Sequence, residues 1–145
     1  MSDEGFVYRI DVRITTPVHD TEVTDRVADA IRNLFPNAEI EERHGELVAE
    51  THSLDRLAEL LRRQEILDTA RAQFLDGRRG DAFSFALKKQ AAFEGVVNFS
   101  VGDPDELGDV AVRVSVDQPD VETFVDHLAP RTEDGRPIED DRWTA

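Results

Sequence analysis

The chain has 145 residues, no cysteine, and 32 acids against 15 Arg and 2 Lys, for a formal net charge of −15. That length specifies one domain with a real hydrophobic core, and the absence of thiols excludes disulfides and thiolate metal sites. No apolar run approaches the roughly 20 residues of a membrane span, and the opening MSDEGF is acidic with no apolar signal segment, so a cytoplasmic protein is expected.

Residues 6–15 alternate cleanly. Tyr8, Ile10, Val12 and Ile14 point one way; Arg9, Asp11, Arg13 and Thr15 point the other. This is the pattern of a strand with one face on the core and one in water. Pro17 ends it. Asp20 is placed to cap a helix over 21–34, whose apolar stripe is Val23, Val27, Ala30, Ile31 and Leu34. Residues 38–43 and 46–51 read as a hairpin turning at His44-Gly45, acidic enough for a sheet edge.

The longest helical pattern follows Ser53, a good N-cap. Leu54, Leu57, Ala58 and Leu61 form one stripe; Ile66, Leu67, Ala70 and Phe74 form another, rotated by roughly a third of a turn. The phase change at Arg63-Gln64-Glu65 predicts a kink or two successive helices. Gly77 is expected to stop the second in the left-handed conformation. Phe83, Phe85 and Leu87 then alternate with Ser84, Ala86 and Lys88 as a half-buried strand.

Residues 96–101 read as a further strand and 102–108 as a polar loop. Residues 109–117 give the cleanest strand, with Val110, Val112, Val114 and Val116 on one face. Pro119 is expected in the first turn of a last helix, with Val121, Phe124, Val125 and Leu128 buried. Residues 131–145 read as a mobile acidic tail, which leaves 1–130 as a single domain. The order β-α-β-β-α(α)-β-β-β-α specifies an α+β fold: two layers, a largely antiparallel sheet, and helices packed on one face. The opposite face is left to solvent or to a ligand.

Charge is distributed unevenly. Between residues 62 and 93 there are seven basic side chains and four acids, a net +3 in a chain whose remainder carries −18. Both lysines lie there, side by side. A cationic window in an acidic chain is the first place to look for a polyanionic partner. The even spread of acids and the shortage of lysine fit adaptation to a high-salt cytoplasm. At 1 M salt the Debye length is about 3 Å, so attraction to an anion there needs direct contact.

No residue set points to a reaction. His19, His44, His52 and His127 lack metal-ligand spacing. Carboxylates are too abundant for any pair to be informative. Gly77-Arg78-Arg79-Gly80 lacks the Lys-Ser/Thr of a phosphate loop and opens a strand rather than a helix. The expectation is a non-enzymatic binding protein with no cofactor and no metal.

The run LLRRQEILDTAR, followed after a Gly-rich turn by FSFALKKQAAFEGVVNF, resembles an archaeal family described as predicted RNA-binding or exosome-associated proteins. The resemblance runs from Tyr8 to Thr132. Its most specific parts are Leu61-Arg62-Arg63-Gln64, Ile66-Leu67-Asp68 and Lys89-Gln90-Ala91-Ala92. Lys88 departs from the Asn usual there, and Val96 from the usual Lys. The resemblance implies a fold like that of the L-five protein of the large ribosomal subunit, an RNA partner, and an accessory role in RNA processing or exosome-type degradation.

The expected interface is therefore Arg62, Arg63, Arg78, Arg79, Lys88, Lys89 and Gln90, with the cations forming one contiguous surface. Arg offers a planar fork to phosphate oxygens, Lys a point charge, and Gln90 a neutral donor. Arg71 is balanced between this role and a solvated helix face with local ion pairs. Phe83 and Phe85 share the core side with Leu87, which favours backbone recognition of structured RNA over base stacking. The alternative is a protein–protein adaptor that docks an acidic partner through the same window.

Overall fold

A computed structural model describes residues 8–102, 108–133 and 136–137. The elements are β1 (Arg9–Pro17), α1 (Thr24–Leu34), β2 (Glu39–Arg43), β3 (Glu46–Thr51), α2 (Asp55–Arg63), α3 (Leu67–Asp76), β4 (Arg78–Arg79), β5 (Ala82–Lys88), α4 (Lys89–Phe93), β6 (Asp109–Gln118), α5 (Val121–Leu128), β7 (Thr132–Glu133) and β8 (Arg136–Pro137). The first six strands make one antiparallel sheet in the order β2-β3-β1-β6-β5-β4. The five helices pack against it, so the architecture is the α+β one expected. The tail assignment falls largely outside the described residues. What is described of it is the small β7–β8 pair.

The period-2 pattern fixes which side of the sheet is buried. Ile10, Val12 and Ile14 of β1 stand opposite Val116, Val114 and Val112 of β6, and all six are buried. Phe83, Phe85 and Leu87 continue that layer on β5, beside Phe74 of α3, whose ring lies 4.8 Å from Phe85 and 5.2 Å from Phe83. Truncating a ring such as Phe74, buried among these partners, costs about 3–5 kcal/mol. The alternate residues face outward.

Local chemistry explains the boundaries. The hairpin turns at His44 and Gly45 with φ of 46° and 83°, the twist-compatible two-residue turn. The expected Asp20 cap is not used: α1 starts at Thr24 after Val23, without a side-chain cap. Ser53 accepts from the Asp55 N–H at 3.2 Å, one residue ahead of the formal cap. Pro119 precedes α5 rather than joining it, and Asp120 is the cap, accepting from the Thr123 N–H at 2.8 Å.

The phase change between α2 and α3 is a helix stop of Schellman type. The Ile66 N–H donates to the Leu61 carbonyl and the Glu65 N–H to the Arg62 carbonyl. Glu65 takes the left-handed position, φ 57°, that glycine usually holds. Gly77, by contrast, ends α3 with φ −89°, not in the left-handed region as expected. Glycine is required there by close approach: a Cβ would sit 1.9 Å from the Ser84 carbonyl oxygen.

The strand expected over 96–101 is also corrected. That segment makes a single bridge, Phe99 to Leu87, with hydrogen bonds from Lys88 N–H to Asn98 O and from Ser100 N–H to Ala86 O. The Gln64 side chain takes both polar groups of Val97, donating to its carbonyl and accepting from its N–H, each at 2.8 Å. A side-chain amide thus replaces the strand partner that residue would need.

Candidate nucleic-acid interface

The cationic window does not form one surface. Arg62, on α2, reaches the end of α5 and donates to the carbonyls of His127 (3.2 Å) and Leu128 (3.3 Å), as well as to Ala58 in its own helix (3.1 Å). The last carbonyls of a helix lack intrahelical donors, and a guanidinium satisfies them. Burial lowers the Arg62 pKa from its ordinary value. Arg71 completes the clamp, donating to Ala129 O at 3.2 Å and pairing with Asp126 at 2.7 Å. These two arginines hold α5 to the α2–α3 unit.

Arg63 pairs with Glu59 at 3.3 Å, and Arg78 pairs with Glu122 of α5 at 3.2 Å. Both pairs are solvent-exposed and belong to the helical side. Arg78 stands opposite Phe83 in the β4–β5 register, which fixes its side of the sheet.

Lys89 is the clearest correction. It was expected among the cations that contact phosphate; its side chain is fully buried. Its ammonium donates to the Pro17 carbonyl at 2.6 Å and to the Glu22 carboxylate at 3.0 and 3.3 Å. Burial pushes the Glu22 pKa up, but the His19 N–H and Lys89 outweigh it and leave the carboxyl below its ordinary value. A buried ammonium must be paired and hydrogen-bonded, and this one ties α4 to the β1–α1 junction. In this conformation it cannot reach a phosphate.

Arg79, Lys88 and Gln90 keep accessible side chains. Arg79 is exposed, and its one hydrogen bond among the described residues goes to the Arg78 carbonyl. Residues directly opposite in a ladder share a face. Arg79 stands opposite Ala82, and Ala82, Ser84, Ala86 and Lys88 alternate outward on β5. Arg79 and Lys88 therefore belong to the outward face of the sheet, roughly 20 Å apart along β5. Gln90 is exposed on α4.

Two of the arginines that face carries outside the window lie at its centre. Arg13 of β1 and Arg113 of β6 are register partners, and Arg113 stands opposite Ser84 of β5. Arg13 contacts Glu50 at 3.4 Å with both side chains more than half exposed. The acids of the face gather on β2 and β3, as Glu39, Glu41, Glu46 and Glu50, and toward the ends of β6, as Asp109 and Asp117. Asp11 is engaged with His52, 3.0 Å away. No Phe, Tyr or Trp of the described residues lies on the outward side of the six strands.

Among the described residues no group of His, Asp and Glu is placed to hold a metal ion, and no helix is long and apolar enough to cross a membrane.

A family model described as RNA binding matches residues 11–117, from β1 through β6. A UPF0201 protein of Methanopyrus kandleri is 43% identical over 141 residues, covering 88% of this chain and 89% of the relative. A UPF0200/UPF0201 protein of Archaeoglobus fulgidus is 42% identical over 135 residues, which cover 90% of this chain but 41% of that longer protein. The crystal structure of a UPF0201 protein from Methanococcus jannaschii superposes with a TM-score of 0.83 at 38% identity, over 89% of this chain and 99% of that one. With a match from β1 through β6 and relatives of this similarity, the chain belongs to the family whose model is described as RNA binding and is a relative of the archaeal UPF0201 proteins.

Proposed function

We propose that the chain binds structured RNA without transforming it, and contacts the phosphate backbone with the outward face of its sheet. The observation that carries this reading is the family match, whose limits coincide with the sheet itself. Of the residues singled out in the sequence, Arg79 and Lys88 supply cations on that face, and Gln90 a neutral donor at the end of β5. The lack of aromatic side chains there favours shape and backbone recognition over stacked bases.

Arg63 and Arg78 belong to a secondary, helical-side contribution. Their exposed ion pairs are worth about 0–1 kcal/mol each, so a phosphate can exchange for the carboxylate at little cost. Arg62 and Lys89 contribute through folding. The setting we propose is a high-salt cytoplasm, where the acidic surface keeps the protein hydrated. The role is that of an accessory in RNA processing or exosome-type degradation.

Binding to a structured RNA hairpin, measured by fluorescence anisotropy at low and high salt, tests the reading. Affinity should fall steeply with log salt, because phosphate contacts release counterions. Copurification from cells, with and without nuclease, is the companion measurement. Retention of a protein partner after nuclease, with no affinity for RNA at low salt, would replace this reading by an adaptor for an acidic protein.

A further inference from the structure

The pair at the centre of the sheet is only half explained by the fold, through the Arg13–Glu50 contact across β1 and β3. Arg13 and Arg113 face each other directly across β1 and β6. Like charges in directly opposed ladder positions are destabilising. Arg13 finds a long, exposed contact with Glu50, while Arg113 has no carboxylate within ion-pair distance among the described residues. Both are exposed. Glu50 stands opposite Arg13 on its other side, across β1 and β3, but Arg113 faces Arg13 and Ser84 and no carboxylate.

The surroundings suit a ligand that comes close to the sheet. The neighbours toward β5 and β6 are small, Thr15 and Ala111 on one side of the pair, Ser115 on the other, Ser84 and Ala86 on β5, while Asp11 and Glu50 place two carboxylates on the β1–β3 side. A groove of about 260 Å³ runs beside the pair and is lined by Arg13, Arg113, Asp11, Glu50, His52 and Ser115. Two guanidiniums approaching from adjacent strands over a floor of small side chains and hydroxyls can grip one oxyanion from both sides. Each offers a fork matched to phosphate oxygens.

We propose that Arg13 and Arg113 form a two-arginine clamp for a backbone phosphate of the bound RNA. Arg79 on β4 and Lys88 on β5 lie to one side of the clamp, and along the strand direction the clamp falls between their levels, so the four cations outline one region of the outward face. The repulsion of the empty pair is relieved when the phosphate enters. The clamp rests on the RNA reading given above and adds to it the residues at the centre of the contact.

The test uses the full chain with Arg13→Gln, Arg113→Gln, the double variant and Arg113→Lys, and a structured RNA hairpin as probe. Each single neutralisation should weaken binding about tenfold, and the double variant should flatten the slope of log affinity against log salt by about 0.7–0.9. Arg113→Lys should keep the parent slope but recover only part of the affinity, because the charge returns without the fork. Thermal melts provide the second readout: Arg113→Gln should melt at or above the parent, since a like-charge contact is removed.

Variants that bind like the parent, while Arg79→Gln and Lys88→Gln lose affinity, would overturn the clamp and leave the RNA reading standing. A parent that binds no RNA would overturn both. A lower melting temperature in Arg113→Gln, or a change of oligomeric state in place of a change in RNA affinity, would show that the pair serves the fold or a contact between copies, and would also overturn it.

Discussion

The Lys89 ammonium and the Glu22 carboxylate lie 3.0 Å apart in a contact that buries the lysine side chain fully and leaves the carboxylate side chain 7% exposed, joining α4 to the β1–α1 junction. Adjacent in sequence, Lys88 and Lys89 have opposite fates: one stays on the outward face of β5, the other becomes an interior ion pair. Breaking such a pair on one side leaves an uncompensated charge, which costs about 3–5 kcal/mol. Lys89→Ala and Lys89→Glu should therefore lower the melting temperature sharply or prevent folding. Lys88→Gln, which puts no acid opposite Asp109, should melt like the parent. Urea unfolding of the two single variants is the check, and equal stability would mean that the Lys89–Glu22 contact contributes nothing.

The same pair sets an acid limit on stability. The Glu22 carboxyl titrates below its ordinary value in the folded protein, so the folded state binds its proton less readily than the unfolded chain does. Its contribution is complete above the unfolded value, about 4.3, and is lost as pH falls below that through the folded value. Glu22→Gln should be less stable at neutral pH and should show a shallower loss of stability in acid than the parent. Chemical denaturation at neutral and acidic pH measures both. Parallel pH profiles for the two proteins would remove Glu22 from the account.

Helix α2 ends at a side chain in a glycine position. Glu65 holds φ 57° between the two Schellman hydrogen bonds, and its residue is exposed. A Cβ in the left-handed region costs on the order of 1 kcal/mol. Glu65→Gly should stabilise the protein by about 0.5–1 kcal/mol, and Glu65→Val should destabilise it. Thermal melts separate the two. A destabilised glycine variant would mean that the Glu65 side chain makes a contribution larger than its backbone strain.

The α+β order, the hairpin and the break between α2 and α3 were legible because each is a local signal. Alternation marks a strand with one wet face, His44-Gly45 takes the turn it advertises, and a rotated apolar stripe requires a change of helix direction. The candidate interface was legible only in part. A count of neighbouring charges cannot see Glu22 reaching Lys89 across 67 positions, or the α5 carbonyls reached by Arg62 across 65 and 66. The window looked cationic because its counter-charges and acceptors are distant in sequence. Arg13 and Arg113 escaped notice for the converse reason: each is one outward residue on an alternating strand, and only the β1–β6 register brings them together. Alternation alone places both on the same kind of face, so a pairing of the first and the Val-rich strand would have sufficed to find them.

The segment read as a strand over 96–101 shows what local propensity leaves out, and it yields the last prediction. Its apolar residues Val97 and Phe99 are buried as a strand would bury them. Yet only Phe99 bridges to β5, and Val97 is held instead by the two hydrogen bonds of Gln64. Gln64 sits at the C-cap of α2, where the Schellman turn aims it away from the helix axis. Removing the amide leaves a part-buried N–H and a part-buried carbonyl without these partners, at about 1–3 kcal/mol for each group that water cannot reach. Gln64→Leu keeps the volume and loses both bonds, so it should destabilise the chain by about 2–4 kcal/mol. Gln64→Glu restores the acceptor for the Val97 N–H but not the donor, and should fall between Gln64→Leu and the parent. Amide hydrogen exchange supplies the local readout: the Val97 N–H should exchange much faster in Gln64→Leu than in the parent, with β1 and β6 still protected. Unchanged protection at Val97 would show that the segment is held by Phe99 and its apolar contacts alone.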